Sequence, residues 1–147
     1  MSVASEMCVA WLLEHGYGVC EAVRLPGDDG EEFLADAIAE KSGSLIGIMH
    51  NARLQGTALI SAGCYLRRFV DQVYVTIQGG ASKPFVDSCR DYGLGILLVR
   101  PADGWKFVSL RPIVESPDMT RRADTLRAMS RLGKRMPNES MSRAAEA

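Results

Sequence analysis

Asp36 and the triplet Met49-His50-Asn51 lie on two apolar runs joined by Lys41-Ser42-Gly43-Ser44, a hairpin-like spacing. Many hydrolytic sites put a carboxylate on the first strand of such a pair and answer it with Glu-x-Lys on the second. A pair of carboxylates so placed can hold a hard cation: Mg²⁺ takes oxygen ligands in an octahedral set, including at least a carboxylate or two. In this chain Met49 stands at the Glu position of that answer and Asn51 at the Lys position. Residues two apart on a strand face the same side, so 49 and 51 are expected to share a side with Asp36. A thioether is a soft, poor ligand for Mg²⁺, and an amide brings no charge.

Other residues could compensate. Glu6, Glu32 and Glu40 could add a carboxylate, and Arg53 could bring a cation to where the Lys would be. Glu6 reads equally well as a capping or solvated acid. By strand alternation His50 points away from the site, as a buried, hydrogen-bonded imidazole under a covering helix. His15 ends the first helix, where a cation complements the dipole.

The elements that must position these residues follow from periodicity. Ser5 caps a helix carrying Met7, Ala10, Trp11 and Leu13 and stopped by Gly16 and Gly18. Strands follow at about 17–25, 33–40 and 45–51, an antiparallel meander. Helical spacing returns over 56–70, then "QVYVTI" reads as a buried strand and "KPFVDSCRDYG" as a short helix from Pro84 to Gly93. "LGILLVR" suits a strand covered on both faces, and "WKFVSLRPIV" an edge strand weakened at Pro112. This order predicts an α/β fold, a mixed sheet with helices on both faces. Residues 1–115 form its domain, and 116–147 add a basic helix and a flexible tail.

At 147 residues and 47% apolar content, one domain with an ordinary core is expected. Cys8, Cys20, Cys64 and Cys89 are far apart, with no C-x-x-C pair, and read as reduced thiols packed as small hydrophobes. No basic run precedes an apolar leader, and no stretch approaches the ~18 apolar residues of a membrane span. A soluble, cytoplasmic protein without membrane partners is expected. Net charge is only −1 but unevenly spread: residues 1–40 hold nine carboxylates against Arg24, whereas 121–135 hold Arg121, Arg122, Arg127, Arg131, Lys134 and Arg135 against Asp124.

Six short pieces in this order, Glu6, "WLLEHGYGV", "ADAIA", "LIGIMHN", "SAGCYLRRFVDQVYV" and "CRDYGLGILLV", resemble the PD-(D/E)xK nuclease superfamily, the restriction-endonuclease-like fold, over about residues 5–112. The resemblance implies a bacterial nuclease fold whose Asp36 keeps the motif Asp, whose Glu-x-Lys has become Met49-His50-Asn51, and whose following-helix Gln has become Ser61. Three functions are compatible with it. In the first, the chain is a catalytically degenerate module with no cofactor. It binds nucleic acid, DNA in preference to RNA, or a protein partner or second copy of itself, in repair, defence or mobile-element biology. Arg53, Arg67, Arg68, Arg121, Arg122, Arg127 and Arg131 would then be the phosphate contacts. The second is an active Mg²⁺-dependent DNA endonuclease using Asp36 and Glu6. The third is an acidic inhibitor that offers carboxylates in place of phosphates; it requires the acids before residue 41 to form one continuous face.

Overall fold

The computed structural model describes residues 3–51 and 54–137. The chain builds α1 (Val3–Glu14), β1 (Gly18–Pro26), β2 (Glu32–Lys41), β3 (Ser44–His50), α2 (Gly56–Leu66), β4 (Gln72–Gln78), α3 (Lys83–Asp91), β5 (Gly95–Arg100), β6 (Trp105–Leu110) and α4 (Met119–Leu132). Helix α1 begins two residues before the expected Ser5 cap. Helix α2 stops at Leu66, short of the expected 70, because Arg67–Phe69 tighten into i→i+3 and i→i+4 turn bonds before β4. The caps of α3 and α4 are side-chain caps: Ser82 Oγ accepts from Phe85 N, and Asp118 accepts from Arg121 N at 2.8 Å.

The strands form one six-stranded sheet in the order β1-β2-β3-β4-β5-β6. The β1/β2 and β2/β3 pairs are antiparallel, β3/β4 and β4/β5 parallel, and β5/β6 antiparallel. The two parallel steps need crossovers, and α2 and α3 supply them. This is the expected α/β architecture with a mixed sheet covered on both faces. Helix α1 packs Cys8, Val9 and Leu12 on Val19, Ala37, Ile46, Ile48 and Leu97. On the opposite face α2, α3 and α4 cover Val23, Ile38, Leu45, Met49, Val73, Val75 and Ile96. Gly47 lets α2 approach β3 closely: a Cβ there would come within 2.5 Å of Leu66 Cδ2.

The β1–β2 ribbon changes faces part-way along. Cys20 and Val23 are three apart, as are Ala35 and Ile38, yet all four lie in the same core cluster, which simple alternation forbids. The reversal falls at Ala22, whose φ is 53°, opposite Asp36 in the register. A left-handed alanine is rare and strained. The reversal turns the far half of the ribbon towards α2 and α4, where Phe33 meets Tyr65 with ring centroids 4.7 Å apart.

Helix α4 belongs to the same core. Ala128 and Met129 are buried in it, and Thr125 donates from Oγ1 to Phe69 O at 3.0 Å. Beyond α4, Arg135 pairs antiparallel with Val19 through two 2.8 Å bonds, covering part of the outer edge of β1.

Candidate functional site

The β2/β3 pairing ends at Ala37 with Ile48, so Asp36 and Met49 each lie one residue beyond its last pair. Their functional groups separate there. The Asp36 carboxylate accepts the backbone N–H of His50 through Oδ2 at 2.7 Å. Met49 is fully buried in the apolar core with Leu59 and Ile77. Asn51 sits just past the strand, in a shallow hollow with Gln55, Gly56, Ser82 and Phe85 between the start of α2 and the start of α3. His50 faces α1 as expected; its Nδ1 and Thr76 Oγ1 lie 2.7 Å apart in a buried hydrogen bond.

Two of the three compensating acids are engaged by cations of this chain. Glu6 is exposed on α1, Glu32 pairs with Arg24 at 3.1 Å, and Glu40 pairs with Lys134 at 3.0 Å. The Lys134 hydrogen bond holds the Glu40 carboxyl below its ordinary pKa. Ser61 is exposed. Arg53 lies outside the described residues. Among the described residues no three His, Cys, Asp or Glu side chains group as a metal site. The donors at the three motif positions, one carboxylate engaged with a backbone amide, a buried thioether and an amide, do not fit the oxygen set that Mg²⁺ requires.

The structure sorts the candidate arginines into three environments. Arg67, Arg68 and Arg121 line one open hollow of about 390 Å³ with Cys64, Glu115 and Asp118. Here Arg67 donates to Tyr92 O at 2.7 Å and to Glu115 Oε2 at 2.9 Å. Arg68 stacks 5.1 Å from the Tyr65 ring centroid and Arg121 5.6 Å from that of Phe69. Arg127 and Arg131 line a second hollow of about 330 Å³ with Arg24, Glu31, Glu32 and Asp124, and Arg127 is paired with Asp124. Arg122 reaches inward instead: Nη2 donates to Asp71 Oδ1 at 2.5 Å and Nη1 to Gly43 O at 2.6 Å. Asp71 is buried and also accepts Leu45 N at 2.7 Å, so Arg122 locks α4 to the β2–β3 turn.

The hairpin tip between β1 and β2 was legible only as an acidic turn. It reaches two arginines of the first hollow. Asp28 N donates to Tyr65 Oη at 2.8 Å, Asp28 Oδ2 accepts Arg68 Nη1 at 2.8 Å, and Asp28 Oδ1 lies 3.9 Å from Arg121 Nη2. This contact raises the Arg68 pKa, mainly through the hydrogen bond to Asp28. Four of the nine acids before residue 41 are paired with cations: Glu14 with Lys106, Asp28 with Arg68, Glu32 with Arg24 and Glu40 with Lys134.

No protein-family model matches the chain, and no curated protein does. Solved structures do. SPO1766, a protein of unknown function from Silicibacter pomeroyi, superposes with a TM-score of 0.60 at 13% identity, over 89% of this chain and 86% of its own. Protein AF1548, of unknown function, gives 0.51 at 19% identity over 65% of this chain and 57% of its own. An XisH family protein from Nostoc punctiforme PCC 73102 gives 0.50 at 14% identity, over 72% of this chain and 97% of its own. At such identities the likeness is one of fold. No helix among the described residues is long and apolar enough to cross a membrane.

Proposed function

We propose that this chain is a non-catalytic module of the restriction-endonuclease-like type that binds nucleic-acid phosphodiesters, DNA in preference to RNA, through the hollow formed by Arg67, Arg68 and Arg121. The observation that carries the reading is the convergence of these three guanidiniums, two from the end of α2 and one from the first turn of α4, on one open concavity. Arginine is suited to phosphate because its planar fork donates two parallel hydrogen bonds. The non-catalytic half of the reading rests on the buried Met49, which leaves Asp36 without a second hard ligand at the motif position. The pairing of Glu14, Asp28, Glu32 and Glu40 with cations of this chain favours this reading over that of an acidic inhibitor, which would need those carboxylates for its partner.

The test is a binding titration with labelled duplex, single-stranded and branched DNA at 50 and 200 mM NaCl, with and without Mg²⁺. Binding should weaken with salt. Replacing Arg67, Arg68 and Arg121 together by Gln should lower affinity at least about tenfold and flatten the log–log salt slope by roughly 0.9 per lost duplex contact. Affinity that the triple variant leaves unchanged sinks the site. Mg²⁺-dependent cleavage that Asp36→Ala abolishes sinks the non-catalytic reading.

A further inference from the structure

Each arginine of the proposed hollow is already matched by a carboxylate of this chain, and a pair outside the hollow shows how much firmer such a contact can be. Asp71, which holds Arg122, is buried and bonded to a backbone amide as well, so it is a fixed part of the fold. Asp28 is not: it rides on an exposed hairpin tip, and its partners Arg68 and Arg121 are themselves partly open to solvent. Exposed pairs of this kind add little net stability, because water screens them and two side chains must be held in place. The tip itself is a five-residue turn closed by the 2.6 Å bond from Gly27 N to Glu31 O, with Asp29 in the left-handed region at φ 60°. One carboxylate on such a tip, lodged between two arginines that stack on Tyr65 and Phe69, has the charge and reach of a single phosphate.

We infer that the seat between Arg68 and Arg121 is a phosphate-binding position, that Asp28 occupies it in the free protein, and that a nucleic-acid phosphate binds by displacing the hairpin tip. The inference rests on the nucleic-acid reading of the same hollow and adds two things to it: which pair of arginines takes the phosphate, and what keeps them closed. Displacement costs little because the lost contacts are exposed and the freed carboxylate returns to water. The gain is a bidentate, charge-assisted contact with a ligand that cannot neutralise itself near neutral pH. The neighbouring acids Asp29, Glu31 and Glu32 would repel a phosphate chain while the tip is docked, so the closed form also suppresses weak, indiscriminate binding.

The experiment compares wild type, Asp28→Ala, Asp28→Asn and Asp29→Asn with a labelled 20-nucleotide DNA, single-stranded and duplex, at 50 and 200 mM NaCl. Circular dichroism verifies that each variant is folded. Asp29 is exposed and makes no ion pair among the described residues, and asparagine tolerates its left-handed backbone, so Asp29→Asn removes the same charge while leaving the turn in place. Both Asp28 variants should bind about tenfold tighter than wild type, and Asp29→Asn less than about threefold tighter. Hydrogen exchange at the Asp28 amide of wild type should speed up when DNA is added, because its bond to Tyr65 Oη is released. Equal tightening by Asp28→Asn and Asp29→Asn means a general charge effect and overturns the seat. Binding by all four proteins with no gain for Asp28→Ala and an unchanged Asp28 amide overturns the inference and leaves the nucleic-acid reading standing. No binding by any of them, at either salt, overturns both.

Discussion

At the scale of single residues, the same interaction type does different things according to burial. The Asp71 carboxylate is removed from water and satisfied by Arg122 and Leu45 N, whereas Arg24 and Glu32 meet on the open surface. Asp71→Ala should therefore cost about 3 kcal/mol in urea unfolding, since it strands a guanidinium and a buried amide, while Glu32→Ala should cost less than about 1 kcal/mol. Met49 gives a second contrast. Placing a carboxylate there by Met49→Glu with Asn51→Lys should lower stability by about 3 kcal/mol without metal, because the side chain has no access to solvent. Mg²⁺ or Mn²⁺ should then raise the melting temperature. A folded variant indifferent to cations would remove position 49 from the motif. The thiol of Cys8 is pushed from 9.0 up to about 12, first by burial and then by Glu21. Below pH 9 it is protonated whether folded or not, and contributes no pH dependence. Above pH 9 the unfolded thiol loses its proton while the folded one keeps it, so stability should fall by about 1.4 kcal/mol per pH unit. Urea midpoints of wild type and Cys8→Ala at pH 8 and pH 10 measure this slope, which the variant should lack.

At the scale of elements, periodicity was a good guide where one face is buried, and failed where a strand changes its mind. The strands at 32–41, 44–50 and 72–78 lie within a residue or two of their expected bounds because turn residues frame them. The alternation argument also placed His50 correctly, under α1. It could not foresee that Met49 faces a closed apolar core instead of a cleft, since a methionine reads the same in either setting and only the depth of packing under α2 decides. The face reversal at Ala22 was equally hidden, because alanine advertises no left-handed conformation. Nor did the basic composition of α4 reveal its partners: the arginines look alike in sequence, and only the fold separates Arg122, turned inward, from Arg121 on the hollow. The segment after α4 carries a prediction of its own. Arg135→Pro removes the N–H that Val19 O accepts, so it should cost about 1 kcal/mol and bare the edge of β1. Light scattering on warming should show that variant self-associating at lower temperature than wild type.

At the scale of the whole molecule, charge is balanced locally more than its distribution along the chain suggests. The acidic first third meets α4 through Asp28 with Arg121, the segment after α4 through Glu40 with Lys134, and the end of α2 through Asp28 with Arg68. Since most of these pairs are exposed, raising NaCl from 0.1 to 1 M should move the melting temperature by less than about 3 °C. Asp71→Ala should not change that salt response, because its pair is shielded. A fold held together chiefly by surface charge would melt far earlier in high salt.

The strand order also bears on how the chain comes together. Each strand lies beside the one that precedes it in the sequence, so during synthesis every new strand finds its template already made. The exception is the outer margin of the first strand, whose cover is supplied by residues more than a hundred positions later. Until those residues leave the ribosome, that border of a nearly finished sheet stands uncovered, and that interval is when a chaperone would have most to do there.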